Sequence, residues 1–195
     1  MVPKISAPTV AAHRVGQRAA LLAATEDILL EIGIAGVIPR AVAERAGLAR
    51  SSFYEYFGSR DDILAAVAIA AFDRWSAEIE ETLRNVPAAD QLPAYVEATL
   101  RMAADGKHGI ASTLQQAELS PSKYDDIMAL HDALLQPMIA ILEGAGVQNL
   151  AVNAGLVQGL LGAGVQSVTH GADVASVTAA IVTMLTEGLP RDAGA

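Results

Sequence analysis

The sequence predicts an all-α chain in which a short three-helix head, residues 1–60, precedes a larger helical body, residues 61–195. Three observations predict it. Apolar residues recur at intervals of three and four along most of the chain, the period of a helix with one buried face. Gly and Pro stand where such helices would stop or start, as at Gly33, Gly47, Pro87 and Gly171. Between Gly36 and Arg60, in GVIPRAVAERAGLARSSFYEYFGSR, two short helical segments are joined by a turn at Gly47.

Taken in order, Met1 to Ala12 reads as a weakly structured arm with Pro3 and Pro8. From Val15 to Ile32, the positions Leu22, Thr25, Ile28, Leu29 and Ile32 trace one helical stripe, which Gly33 ends. Pro39 to Ala46 forms the next helix: Pro39 suits a first helical position, Val42, Ala43 and Ala46 make its apolar face, and Gly47 stops it with a left-handed residue. The third helix begins at Arg50. With Arg50 at zero on a wheel of about 100° per residue, Phe53, Phe57 and Tyr56 fall near 300°, 340° and 240° and face inward. Ser51, Tyr54 and Glu55 fall near 100°, 40° and 140°, an outward polar arc beside Arg50.

A helix, a tight Gly turn and a second helix with an exposed polar face make up the layout that places a reading helix in a DNA major groove. These residues resemble the TetR family of one-component transcriptional regulators. The family pattern AxxAGVSxGTLYxYFxSKExL is matched by AERAGLARSSFYEYFGSRDDIL, with Ala43, Ala46, Gly47, Tyr54, Tyr56, Phe57, Ser59, Arg60 and Leu64 at the family's positions. The resemblance is strong from Arg18 to Val67 and architectural beyond. It implies a helix-turn-helix DNA-binding domain, a helical ligand-binding and dimerisation bundle, and repression of an operator. Three departures stand out: Ile38-Pro39 where the family has Thr-Thr, Ala49 where it has a capping Ser, and an anionic Glu55 on the reading face. The first two remove hydroxyls that would cap a helix or touch phosphate.

In the body, Asp61 and Asp62 favour a helix N-terminus, and Leu64, Ala68, Ala71, Phe72, Trp75, Ile79 and Leu83 trace a stripe to Asn85. That helix would be about 37 Å long, enough to act as a lever from head to body. Val86 to Ala89 breaks it, Asp90 is placed to cap the next helix, and Leu92, Tyr95, Val96, Thr99, Leu100 and Met102 carry the pattern to Gly106. Lys107 to Leu119 reads as a shorter helix. Ser120-Pro121 opens another that runs to Glu143 with a kink or break at Pro137. Two helices close the chain, Leu150 to His170 and Asp173 to Leu189, with a disordered tail after Pro190. In the first, Gly155, Gly159, Gly162 and Gln166 form one stripe almost without side-chain bulk. Each internal Gly costs about 0.5–1 kcal/mol relative to Ala, so a closely approaching surface is the expected reason for them. Val174, Val177, Ile181, Met184, Leu185 and Gly188 share one face of the last helix. The TetR resemblance makes these two helices a homodimer surface, on Gly155, Gly159, Gly162, Gln166, Ile181 and Met184; the alternative is that both are core helices of one subunit.

Charge locates the expected contact with DNA. Residues 1–60 carry seven Lys and Arg against five Asp and Glu, a net +2, whereas the rest carries six against seventeen, a net −11. Phosphate is attracted only to the head. The expected DNA contacts are Arg40, Arg50, Ser51, Ser52, Tyr54, Tyr56 and Arg60, with Arg50 able to lie bidentate on guanine, the hydroxyls able to meet phosphate or base edges, and Arg40 and Arg60 as phosphate clamps. Tyr56 has only its hydroxyl to offer, since its ring turns inward. Glu55 either accepts from a cytosine amino group or stays solvated, and Lys4, His13 and Arg14 either enter a minor groove or belong to a frayed tail.

In the acidic body, Trp75, Met102, His108, Gln115, Met128, His131 and Gln136 are the candidates to line a cavity for a small hydrophobic effector, with plain core as the rival reading for the Trp and Met residues and hydrogen-bonded structure as that for a single His. The absence of Cys, of HExxH and of an EF-hand loop argues against a metal site or a cofactor, and four scattered His residues offer no catalytic constellation, so no enzyme is expected. No apolar run approaches the roughly 20 residues of a membrane span, and no signal peptide is evident, so a cytoplasmic, soluble and whole protein is expected. The sequence therefore reads as a ligand-responsive repressor that binds inverted-repeat, double-stranded operator DNA as a homodimer. The alternative is a helical small-molecule-binding or scaffold protein with little DNA affinity.

Overall fold

The computed structural model describes residues 7–105 and 135–187. Among the described residues there are eight α-helices, two short 3-10 turns and no strand. The helices are α1 (Ala7–Glu31), α2 (Pro39–Arg45), α3 (Arg50–Tyr56), α4 (Arg60–Leu83), α5 (Gln91–Ala104), α6 (Gln136–Gly144), α7 (Leu150–Thr169) and α8 (Val174–Thr186). They divide into two compact units, the first running to Ala71 and the second starting at Phe72, so the continuous helix α4 contributes to both.

In the head, α1 packs on α2 and α2 on α3, around buried Leu21, Ile28, Leu29, Val37, Val42, Phe53 and Phe57, to which α4 adds Ile63, Leu64 and Val67. Full burial of each such side chain contributes about 1.5–3 kcal/mol. This matters most for α2 and α3, which at 7 residues each are shorter than a helix stable alone in water, about 12–15 residues. Gly47 has φ +70 and turns the chain between them. An ion pair also locks α2 to α1: Arg45 donates to both carboxylate oxygens of Glu31, at 3.0 and 2.8 Å, and these bonds hold the Glu31 carboxyl below its usual range.

Two sequence expectations for α1 are corrected. The helix starts at Ala7 rather than Val15, so residues 7–12 are helical and not a loose arm; Pro8 is tolerated because first-turn N–H groups have no intrahelical partner. The buried stripe is Leu21, Ala24, Thr25, Ile28 and Leu29, while Ile32 is exposed. The N-terminus of α4 is capped by Ser59, whose Oγ accepts from the Asp62 N–H at 3.1 Å and donates to the Asp62 carboxylate at 2.9 Å.

In the body, α5 is central, packing on α7 and α8 with Tyr95, Val96, Ala98, Thr99, Leu100, Met102 and Ala103 buried. Asp90 stands at its start but its side chain makes no capping hydrogen bond; the preceding 3-10 turn, Ala88–Asp90, leads into the helix instead. The helix α6 begins at Gln136 with Pro137 in its first turn, so of the kink or break expected there it is a helix boundary that the proline marks. The expected helices between Lys107 and residue 134 lie outside the described residues. One glycine of α7 does admit a close neighbour, but it is Gly164: a Cβ there would lie 2.6 Å from Ile181 Cδ1 and 3.0 Å from Leu100 Cδ2. None of the described helices is long and apolar enough to cross a membrane.

Candidate nucleic-acid interface

The third helix presents the two arcs its sequence implies. Phe53 is fully buried and Phe57 nearly so, their ring centroids 5.9 Å apart, and this aromatic wedge fixes the rotation of α3 against the head. Arg50, Ser51, Tyr54 and Glu55 are exposed on the opposite side, and Ser52 is half-buried. Tyr54 keeps half its surface open while the edge of its ring meets Phe53 at 5.3 Å. Neither Ile38 nor Ala49 makes a side-chain cap, so the hydroxyls missing from the sequence are not replaced by other caps at these two positions.

The remaining expected contacts are placed less openly. Tyr56 is half-buried, and its hydroxyl donates to Gln17 Oε1 of α1 at 2.8 Å. The Arg60 guanidinium turns inward and donates to the backbone carbonyl of Ile34, tying the start of α4 to the turn before α2. Arg40 is exposed and is held by Glu44, one turn on, at 2.7 Å. Two cations stand beside the aromatics at the C-terminal end of α3: Arg14, which the sequence offered to a minor groove or a frayed tail, and Arg18, which it did not single out. The Arg14 guanidinium lies 5.7 Å from the Tyr56 ring centroid and that of Arg18 lies 5.4 Å from the Phe57 ring centroid. The signal was present in the spacing, because Arg14, Gln17 and Arg18 continue the stripe of Leu21, Ala24 and Ile28 toward the N-terminus.

Of the candidate effector residues, Met102 is packed in the core of the body and Trp75 is half-buried against the same core. Gln136 is exposed, and His108, Gln115, Met128 and His131 lie outside the described residues. A hollow of about 320 Å³ lies between α7 and α8, open to the surface, with Ala163, Ser167, Asp173, Ser176, Ala180 and Met184 among its lining residues.

The candidate association surface divides in two. Gly155, Gly159, Gly162 and Gln166 are exposed on one face of α7, and among the described residues a Cβ at any of the three glycines would meet nothing within 4 Å. Val152 and Leu156, each 65% exposed, extend that face, and Met184 of α8 is also exposed. Ile181 is different: at 4% exposure it packs inward toward Gly164, because its position on α8 is one that faces α5 and α7, and it belongs to the subunit core rather than to an outer face. Among the described residues no group of His, Asp and Glu is arranged to hold a metal ion.

Comparison with known proteins agrees with this geometry. The family model of the bacterial regulatory proteins of the tetR family matches residues 21–67. No curated protein matches the chain in sequence. Among solved structures, the TetR family transcriptional regulator PfmR from Thermus thermophilus is similar, with a TM-score of 0.70 at 23% identity over 88% of this chain and 99% of that one. The transcriptional regulator FadR from Bacillus subtilis, solved in complex with stearoyl-CoA, has a TM-score of 0.74 at 18% identity, covering 88% and 99% of the two chains. A transcriptional regulator from Rhodococcus sp. Rha1 reaches 0.75 at 21% identity, covering 86% and 93%. At these identities the structures speak for the fold alone, while the family model speaks for the head: residues 21–67 match the tetR family's regulatory proteins, and the chain as a whole has a fold similar to that of solved TetR-family regulators.

Proposed function

We propose that the protein is a ligand-responsive transcriptional repressor, acting in the cytoplasm, that binds an inverted-repeat operator as a homodimer and leaves it when a small lipophilic effector binds the body. The observation that carries this reading is the split of α3, with Phe53 and Phe57 buried and Arg50, Ser51 and Tyr54 exposed on a helix presented after the turn at Gly47. Arg50 supplies the bidentate donor that suits guanine, and Ser51, Ser52 and Tyr54 supply hydroxyls for phosphate or base edges. Tyr56 and Arg60 position the helix, through Gln17 and Ile34 respectively. Glu55 on the same face favours a site where it meets a cytosine amino group or no phosphate at all.

Dimerisation falls to the face of Gly155, Gly159, Gly162 and Gln166 with Met184, whose lack of bulk no close neighbour among the described residues explains. For the effector, the acidic body disfavours an anionic ligand, and the stearoyl-CoA bound to the Bacillus subtilis FadR supports a ligand with a long apolar part. Such a ligand weakens operator binding only by favouring one spacing of the two heads over another, and the continuous helix α4 is the element shared by head and body.

The experiment has two stages. Sequencing the fragments that the pure protein retains from random DNA should give an inverted repeat, and Arg50→Ala should relax one position of each half-site, costing about 1–3 kcal/mol there. Trp75, the single Trp of the chain, should then report lipophilic compounds whose affinity falls when operator is present, by the same factor of about 5–150 as they weaken operator binding. A pool with no enriched motif at low salt would leave the helical scaffold reading in its place.

A further inference from the structure

The head's positive charge has to be counted by what each guanidinium already does. Arg45 is engaged by Glu31, Arg40 by Glu44, and Arg60 by the carbonyl of Ile34. Arg14 and Arg18 differ from all three. They are exposed, and their contacts are with aromatic rings, Tyr56 and Phe57, at the C-terminal end of the reading helix. Attraction to a ring and hydrogen bonding need not compete: the ring acts on the charge of the guanidinium within about 6 Å of the centroid, and it consumes none of the five N–H donors. An Arg held over a ring is therefore positioned without using the fork that matches a phosphate. The Tyr56 hydroxyl, bonded to Gln17 one turn along the same face of α1, fixes α1 against α3 at this point.

We propose that Arg14 and Arg18 of α1 are the phosphate clamp of the head, gripping the DNA backbone alongside α3. This rests on the operator-binding reading and assigns to α1 the role that the sequence suggested for Arg40 and Arg60. Because the two rings belong to the last residue of α3, Tyr56, and to its C-cap, Phe57, the clamp and the base-contacting residues Arg50, Ser51 and Tyr54 move as one body. The clamp sets affinity and register for any sequence; Arg50 sets preference among sequences.

The test measures binding of the full chain to a mixed-sequence DNA duplex across about 50 to 200 mM salt. Each phosphate contact contributes about 0.9 to the slope of log affinity against log salt. R14Q/R18Q should therefore lower the slope by about 1.8 per head, so that its disadvantage to the wild type shrinks about tenfold over that range. R14K/R18K, which keeps the charges, should keep the slope. R14Q alone, which uncovers only the half-buried Tyr56 ring, should lower it by about 0.9 and serves if the double variant does not fold. A wild-type slope in a folded R14Q or R14Q/R18Q overturns the proposal, while selection by Arg50 would still stand. If the wild type itself binds no duplex at 50 mM salt, the operator-binding reading falls and the clamp with it.

Discussion

Gly36 ends the 3-10 turn that carries the chain from α1 into the reading motif, and Gly36→Ala tests whether that turn is as tight as it looks. A Cβ built there would stand 2.8 Å from Ile32 Cγ2, 2.9 Å from Ile32 Cβ and 3.0 Å from Ile28 Cγ2. The second of these contacts decides the outcome. A methyl at the end of a side chain can rotate away, but Ile32 Cβ is fixed to the backbone just past α1, so relief requires α1 or the turn to move. Overpacking of this kind costs about 1–3 kcal/mol, and the smaller conformational freedom of unfolded Ala returns about 0.4–1 kcal/mol. The net expectation is a loss of about 1–2 kcal/mol, a large share of the 5–15 kcal/mol typical of a folded domain. Gly16→Ala is the matched control: it lies within α1, a Cβ there meets nothing within 4 Å, and the change should stabilise by about 0.5–1 kcal/mol. Urea unfolding followed by far-ultraviolet circular dichroism should move the two midpoints in opposite directions at an unchanged slope. A Gly36→Ala midpoint at or above that of the wild type would refute the reasoning, since it would mean that the turn has room the geometry denies.

Two further outcomes are expected. Gly159→Leu places a bulky side chain on the open face of α7, and in a two-fold dimer that change enters the contact from both subunits; sedimentation should find monomer, and an undisturbed dimer would put the interface elsewhere. The cap of α8 should depend on acid: Asp173 accepts from the Ser176 hydroxyl at 2.7 Å and from its N–H at 2.8 Å, bonds that hold its carboxyl below the usual value. Since the folded group is the stronger acid, this contribution is complete above the unfolded pKa, about 3.9, and is lost as pH falls through the lower folded value. The melting temperatures of wild type and Asp173→Ala should thus differ at neutral pH and converge below about pH 4.

The parts of the fold that were legible in the sequence are those set by local chemistry. The turn at Gly47, the inward aromatics of α3 and the start of α4 each depend on residues within a few positions of one another, and periodicity and capping rules read such neighbourhoods well. The pairing of Arg40 with Glu44, four apart, was open to the same kind of reading, although the sequence analysis assigned Arg40 to phosphate instead. The bond of Arg45 to Glu31, 14 positions away, and that of Tyr56 to Gln17, 39 away, could not be read in this way. The first turns of α1 were missed because they carry no apolar stripe, and Pro8 looked like a breaker although a first turn accepts it. In α7 the sequence pointed to a close approach at Gly155, Gly159 and Gly162, and within the subunit that approach is made at a glycine it did not single out. Gly164 answers to Ile181 and Leu100 inside the subunit, whereas Gly155, Gly159 and Gly162 face away from it, and only the packed neighbours distinguish the two cases.

The helices α2 and α3, short and without side-chain caps, have a genetic consequence. Neither has enough of its own hydrogen bonding to persist when the packing beneath it is disturbed, so the reading face cannot soften by degrees. If the protein regulates as proposed, alleles that abolish regulation should therefore scatter well beyond the exposed arc of α3. They should be as frequent at Val42, Phe53 and Leu64, side chains sealed from solvent, as at Arg50. A mutational map read only for surface contacts would take those buried positions for a second binding site.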